Sequence, residues 1–304
     1  MDPNTIYKHV ERQYGSIARA DNPKYSGTIA KAFGYSEEEL SKIPKDANLG
    51  LSCGNPLAIA ALREGETVID LGSGAGFDVF LAAKKVGATG QAIGVDMNKD
   101  MLARARENLK KSEAKNITFV EAKITAIPLS DGIADCIISN CVINLVPEIE
   151  KLTVFKEMSR LLKQGGRVAI SDILTRKTLP TSLKEDVELY TGCIAGASPV
   201  EAYKRFLNES GFADIMILDT ESNLNVYIEA ANLGADENGN TVACCKQQDN
   251  AASSLANEED KTETRGSCCP GGSESKNGKP TRSRFVGLDL NEWVGSFKIF
   301  AVKA

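Results

Sequence analysis

Eight cysteines stand against a single histidine, His9. That ratio decides which chemistry is open to the chain. One histidine leaves no Ser-His-Asp or Cys-His triad unless His9 itself serves, and no Cys2His2 or histidine-rich metal site. Metal or nucleophile chemistry then has to run on sulfur or on carboxylates. Three cysteines have distinctive neighbours: Cys53 in Leu51-Ser52-Cys53-Gly54-Asn55-Pro56, Cys141 in Ser139-Asn140-Cys141-Val142-Ile143-Asn144-Leu145, and Cys193 in Gly192-Cys193-Ile194-Ala195-Gly196. Cys53 and Cys193 flank glycines, as loop residues do. Cys141 taken alone reads equally well as a small buried hydrophobe. Cys136 lies inside an apolar run and reads as core, and Cys244-Cys245 and Cys268-Cys269 form two vicinal pairs.

The second chemical motif is Asp70-Leu71-Gly72-Ser73-Gly74-Ala75-Gly76-Phe77, spaced D-x-G-x-G-x-G. Its glycines permit a tight turn and a close approach of backbone to ligand, and a helix N-terminus there favours anionic groups. A dinucleotide fingerprint beginning at Gly72 needs glycine at position 77, which is Phe77. An acid at Asp70 repels a pyrophosphate and suits an ammonium group instead. Asp96, in Gly94-Val95-Asp96-Met97, is placed to accept hydrogen bonds from ribose hydroxyls.

The elements that must position these residues form a regular succession. Residues 1–64 read as a helical segment: Ile6, Val10, Tyr14 and Ile17 recur at helical spacing, Ser36 with Glu39 is a capping-box signal, and Asn55-Pro56 opens a further helix. Over residues 65–232, short apolar strands (67–71, 92–96, 117–121, 136–139, 168–171) alternate with helices near 77–87, 99–112, 148–162, 181–192 and 199–210, and Gly165-Gly166 reads as a helix stop. This predicts an α/β fold, a doubly wound and mostly parallel sheet of Rossmann type. Residues 233–284 are polar and hold both vicinal pairs, so they read as a flexible insertion. Residues 285–304 return as a strand that rejoins the sheet beside 215–219, for seven strands in all.

Composition closes off other classes. A formal net charge of -5 gives no reason for a nucleic-acid or anionic-membrane partner, and no apolar run is long enough to span a bilayer. Residues 1–16 are too polar for a signal peptide, so a reducing cytoplasm is expected, with cysteines as thiols rather than disulfides. Arg104, Arg106, Lys110 and Lys111 read as a solvated helix face.

The glycine motif followed by Asp96 resembles the class I S-adenosylmethionine-dependent methyltransferases over residues 65–220. The resemblance implies that the methionine part of the cofactor meets Asp70 and Gly72, with Gly74 and Gly76 shaping the loop. It places Asp96 on the ribose, Met97 on the adenine, and Asn140 within the cofactor site. Many relatives carry an acid and a small residue after the third strand where this chain has Lys123-Ile124, which leaves backbone contacts at Ile124. At the end of the fourth strand, amino-methylating relatives carry an Asn-Pro-Pro-Tyr type signature, and here Cys141 takes its place.

In a doubly wound sheet the segments bearing Cys53, Cys141 and Cys193 can fold over one edge. Three thiolates without histidine suit a soft centre. Trivalent arsenic takes three sulfurs in a pyramid and keeps a lone pair. At that point the chain resembles the arsenite methyltransferases, in the Cys141 stretch through Val146-Pro147, in the Cys53 and Cys193 stretches, and in Glu11-Arg12-Gln13-Tyr14-Gly15, whose Tyr14 would fold over the cofactor.

The resemblance implies Cys53, Cys141 and Cys193 as arsenic(III) ligands and catalytic residues, arsenite or its glutathione complex as substrate, glutathione or thioredoxin as thiol reductant, and a monomer. The chain departs from relatives in having no cysteine before Cys53. The vicinal pairs read either as incidental or as arsenic-delivering. Two alternatives remain: a methyltransferase acting on carbon or oxygen of a small organic molecule, and a thiol-rich metalloid-binding protein.

Overall fold

The computed structural model describes residues 2–20, 26–184, 186, 189–190, 192–227 and 289–304. Seven strands, β1 (Thr67–Leu71), β2 (Gln91–Asp96), β3 (Ile117–Glu121), β4 (Ala134–Asn140), β5 (Leu162–Thr175), β6 (Phe212–Asp219) and β7 (Val294–Lys303), form one sheet in the order β3-β2-β1-β4-β5-β7-β6. The first five pair in parallel, and β7 runs antiparallel to both β5 and β6. Ile69, Val95, Ile137, Ile138 and Ile170 are fully buried or nearly so, as expected of strands covered on both faces. The chain runs outward from β1 to β3 and then crosses back to β4. This reversal between β1 and β4 opens a crevice at the carboxyl ends of the strands.

Helices cover both faces. On one side, α5 (Phe77–Val86) packs with short N-terminal helices through Leu57, Val79, Phe80 and Tyr35. On the other, α7 (Lys151–Leu161) and α9 (Val200–Glu209) bury Phe155, Met158, Tyr203 and Phe206 against β4, β5 and β7. Truncating Phe155 there would cost about 3–5 kcal/mol. The N-terminal elements are α1 (Pro3–Arg19), α2 (Ser26–Ala32), α3 (Glu37–Ser41) and α4 (Leu57–Ala60). The Ser36–Glu39 capping box is present, and Asn55 Oδ1 accepts from the Ala58 N–H at 3.2 Å.

Two expectations change. Gly165-Gly166 does not end a helix: α7 stops at Leu161 and β5 starts at Leu162, with Gly165 at φ +73° and a register shift between Ala134 and Cys136. The glycines instead let one long strand kink. Arg104, on α6 (Lys99–Lys110), is not a free solvated cation. Its guanidinium donates to the carbonyls of Ala18 (2.9 Å), Ala20 (2.7 Å) and Asp46 (3.2 Å), anchoring the end of α1. Of the helix expected over 181–192, α8 covers Thr181–Lys184. The insertion at 233–284, with both vicinal pairs, lies outside the described residues. Among those described, no helix is long and apolar enough to cross a membrane.

Candidate active site

The crevice is lined at one end by the glycine loop. Gly72, Gly74 and Gly76 all have positive φ, at +70°, +51° and +95°. At Gly72 the requirement is double, because a Cβ would also overlap the Val142 side chain just beyond β4. The Gly74 N–H donates to Asp96 Oδ2 at 2.9 Å, so the second strand holds the loop in shape.

Three acids gather here. Asp70 is buried, and its carboxyl makes no hydrogen bond or ion pair among the described residues. Burial, then the nearby Asp78 and Asp96, hold its carboxyl well above the usual carboxylate range. Asp78, in the first turn of α5, accepts from Tyr35 Oη (2.6 Å) and Asn140 Nδ2 (3.0 Å), and burial pushes it up to about 6. Burial also raises Asp96, against the backbone N–H groups of Asn98, Gly74 and Met97. Ser73 Oγ is buried with no partner among the described residues.

A cavity lined by three acids, of which the Asp70 carboxyl has no hydrogen-bond partner among the described residues, fits S-adenosylmethionine, whose ammonium and sulfonium carry positive charge. Met97, Ile124 and Tyr14 line the same cavity. Lys123, where relatives carry an acid, lies 4.0 Å above the Tyr7 ring, while Tyr7 Oη donates to Glu150 at 2.5 Å. The residue that departs from the family pattern thus helps hold α1 over the cavity.

The other end is sulfur. Cys141 directly follows β4 at φ +60°, its N–H donating to the Ser171 carbonyl at 2.9 Å. Cys193 stands at φ +65° in the loop ahead of α9, and its Sγ donates to the Cys141 carbonyl at 2.7 Å. Left-handed backbone at two non-glycine residues is strain that the surroundings must hold in place. Cys53 is fixed from two sides: its N–H donates to Asn140 Oδ1 at 3.2 Å and its carbonyl accepts from Ser296 Oγ of β7 at 2.6 Å. So held, Cys53 and Cys141 are joined as a disulfide with Cα atoms 5.9 Å apart, where free thiols were expected.

The sulfurs of Cys53 and Cys141 and the Asp172 carboxylate lie within 4.8 Å of one another, and Cys193 Sγ is not in that group. Its thiol is pushed up by burial and by Asp172, and pulled back by Tyr14, whose hydroxyl is 3.9 Å away, and by Lys151. Cys136 is buried core, its thiol raised by burial to about 12.

Asn140, assigned to the cofactor by resemblance, lines the cavity and also ties its two ends together. Its Nδ2 donates to Tyr35, Asp78 and Gly54, each at 3.0 Å, while its Oδ1 holds Cys53. Sequence reasoning passed over Tyr7, Ser73, Asp78, Lys151 and Asp172. Asp78 had a readable signal, an acid in the first turn of an otherwise apolar helix. Asp172 and Lys151 had none, since their burial depends on elements far away in sequence. Asp172 accepts from Tyr203 Oη (2.7 Å), Asn144 Nδ2 (2.8 Å) and the Ile173 N–H (2.9 Å), and burial lifts it to about 6.

Residues 62–211 match a methyltransferase domain model. The chain is 42% identical over 228 residues to an arsenite methyltransferase of Halobacterium salinarum, covering 71% of this chain and 57% of that protein. It is 31% identical over 206 residues to an arsenite methyltransferase of Homo sapiens, covering 63% and 54%. The chain therefore spans less than two thirds of the length of these curated relatives. Among solved structures it is similar in fold to an arsenic(III) S-adenosylmethionine methyltransferase from Chlamydomonas reinhardtii, with a TM-score of 0.53 and 24% identity, covering 93% of this chain and 74% of that one.

Proposed function

The chain belongs to the class I S-adenosylmethionine-dependent methyltransferase family, and from that premise we propose that it methylates arsenite, moving a methyl group from the cofactor to thiolate-bound As(III). The observation that carries this reading is the arrangement at the sulfur end of the crevice. Cys53 and Cys141 are within bonding distance of each other, and Cys193 is held against the Cys141 backbone. A methyltransferase of small organic molecules has no need of that arrangement.

As a proposal, the cycle begins with reduction of the Cys53–Cys141 disulfide by an external thiol, glutathione or thioredoxin, in the cytoplasm, with the chain acting as a monomer. Arsenite or its glutathione complex then exchanges its oxygen or sulfur ligands for Cys53, Cys141 and Cys193, and each thiol proton leaves with the departing group. Bound cofactor supplies an electrophilic methyl on its sulfonium. Asp70 would hold the ammonium end, and the glycine loop, which lies against Val142, would close the cavity beside it. The arsenic lone pair would take the methyl by in-line displacement, the electrons of the carbon–sulfur bond staying on the cofactor's sulfur. Alignment and exclusion of water supply the acceleration, and no base is needed because arsenic has no proton to lose. Arsenic has then given up two electrons formally. A thiol pair returns them by forming a disulfide, so the Cys53–Cys141 bond is a suitable end state.

The test is incubation of the purified protein with methyl-labelled cofactor, arsenite and a thiol, followed by arsenic speciation. Labelled methylarsenicals are expected. Label retained in the cofactor, with no arsenical formed, would overturn the reading.

A further inference from the structure

We propose that Lys151 is a positioning residue for the acceptor site, its buried ammonium pinning the loop that presents Cys193. The inference rests on Cys193 being an arsenic ligand. Lys151 opens α7 and is 1% exposed. An ammonium has three protons to donate, and all three are used. They go to the Gly196 carbonyl (2.5 Å), to Ser198 Oγ (2.6 Å) and to Glu148 Oε2 (2.9 Å). Burial pushes the Lys151 pKa down, and Glu148 opposes that shift. Glu148 is largely exposed, so one wet carboxylate is a poor reason to bury a lysine. Two of the three bonds reach the 192–198 loop, which is where the reason lies.

That loop is gripped at a second point as well. Asn144 Nδ2 donates to the Cys193 carbonyl at 3.3 Å and to Asp172. At Gly196 a Cβ would overlap the Asn144 carbonyl oxygen, so the loop backbone lies directly on the turn after β4. Ser198 Oγ in turn donates to Glu148 at 3.0 Å. Lys151 thus closes a clamp of which Asn144 is the other jaw. Between the jaws, Cys193 keeps its left-handed backbone and its Sγ stays on the Cys141 carbonyl. If the ammonium is removed, the loop is free to relax outward, carrying the third sulfur away from the other two. Transfer chemistry tolerates such misplacement badly, even at about 1 Å.

The experiment compares Lys151→Met, which keeps the stem and loses all three donors, with Ser198→Ala, which loses one partner, and with Lys151→Arg as the conservative change. Alkylation of Cys193 by iodoacetamide, resolved by peptide mass spectrometry, is expected to speed up roughly tenfold in Lys151→Met and less in Ser198→Ala. The KM for arsenite should rise roughly tenfold while the KM for the cofactor stays put, with partial recovery in Lys151→Arg. Unchanged Cys193 alkylation and arsenite KM in both Lys151→Met and Ser198→Ala would overturn the proposal. The alkylation arm needs no arsenite, so it decides the positioning role even if the wild-type protein makes no methylarsenical.

Discussion

The two ends of the crevice are built by opposite means. The cofactor end comes mostly from one short run of chain, β1 through the start of α6, with an acid, a turn of glycines, a helix start and a second acid, and Tyr14, Ile124 and Asn140 join it from elsewhere. The sulfur end is assembled from the loop before α4, the turn after β4, the loop before α9 and Ser296 on β7. The first end gathers three acids, Asp70, Asp78 and Asp96, around the glycine loop. The second is strained and clamped. The contrast teaches that one fold can encode a cofactor site in contiguous sequence while leaving acceptor chemistry to tertiary contacts.

If the ends are separable, damage to one should spare the other. The largest effect is expected from Cys141→Ser or Cys193→Ser, which should lower arsenite methylation by roughly a hundredfold or more. Cofactor affinity, read by titration calorimetry, should stay within twofold of wild type; an equal loss of affinity would break the distinction. Next comes Asp70→Asn. Removing the acid that would meet a buried ammonium should weaken cofactor binding by roughly thirtyfold or more, the lower edge of about 2–5 kcal/mol for a buried charge pair. Arsenite-induced loss of titratable thiols should be untouched.

A third effect concerns pH. Asp78 titrates near 6 in the folded chain against 3.8 ordinarily, so the fold binds an extra proton between those values. Its contribution to the cofactor-free protein is therefore fully present below about pH 4 and lost as pH rises through 6. Relative to Asp78→Asn, wild type should gain on the order of 1–3 kcal/mol between pH 7 and pH 4, measured by urea unfolding. The smallest effect is expected from Tyr14→Phe, because Tyr14 touches both ends, lining the cofactor cavity and approaching Cys193 Sγ at 3.9 Å. Here the KM values for cofactor and arsenite should both rise by about two- to fivefold, consistent with a single lost hydrogen bond. A change in only one would place Tyr14 on that side.

The same contrast explains what could be read before the structure. The glycine loop, Asp96, the capping box and the place of β7 were legible because their signals are contiguous or periodic. The convergence of the segments bearing Cys53, Cys141 and Cys193 on one edge was legible too, but the bond between Cys53 and Cys141 was not. Pairing across 88 positions depends on Asn140 and Ser296 holding a loop, which no local pattern announces. Arg104 and Lys151 were hidden for a related reason. A basic residue on a helix reads as solvated until the carbonyls that cover it are known. Gly165-Gly166 read as a stop because glycine signals a break in regular structure without saying which element is bent.

The hydrogen bond from Ser296 to the Cys53 carbonyl spans 243 positions. During translation the glycine loop can be complete and packed while that serine has yet to be made, an interval on the order of ten seconds at ordinary elongation rates. A nascent chain therefore presents a finished cofactor pocket before it presents an aligned set of thiols. Until β7 docks, the Cys53 carbonyl lacks the Ser296 hydroxyl that fixes it in the folded chain.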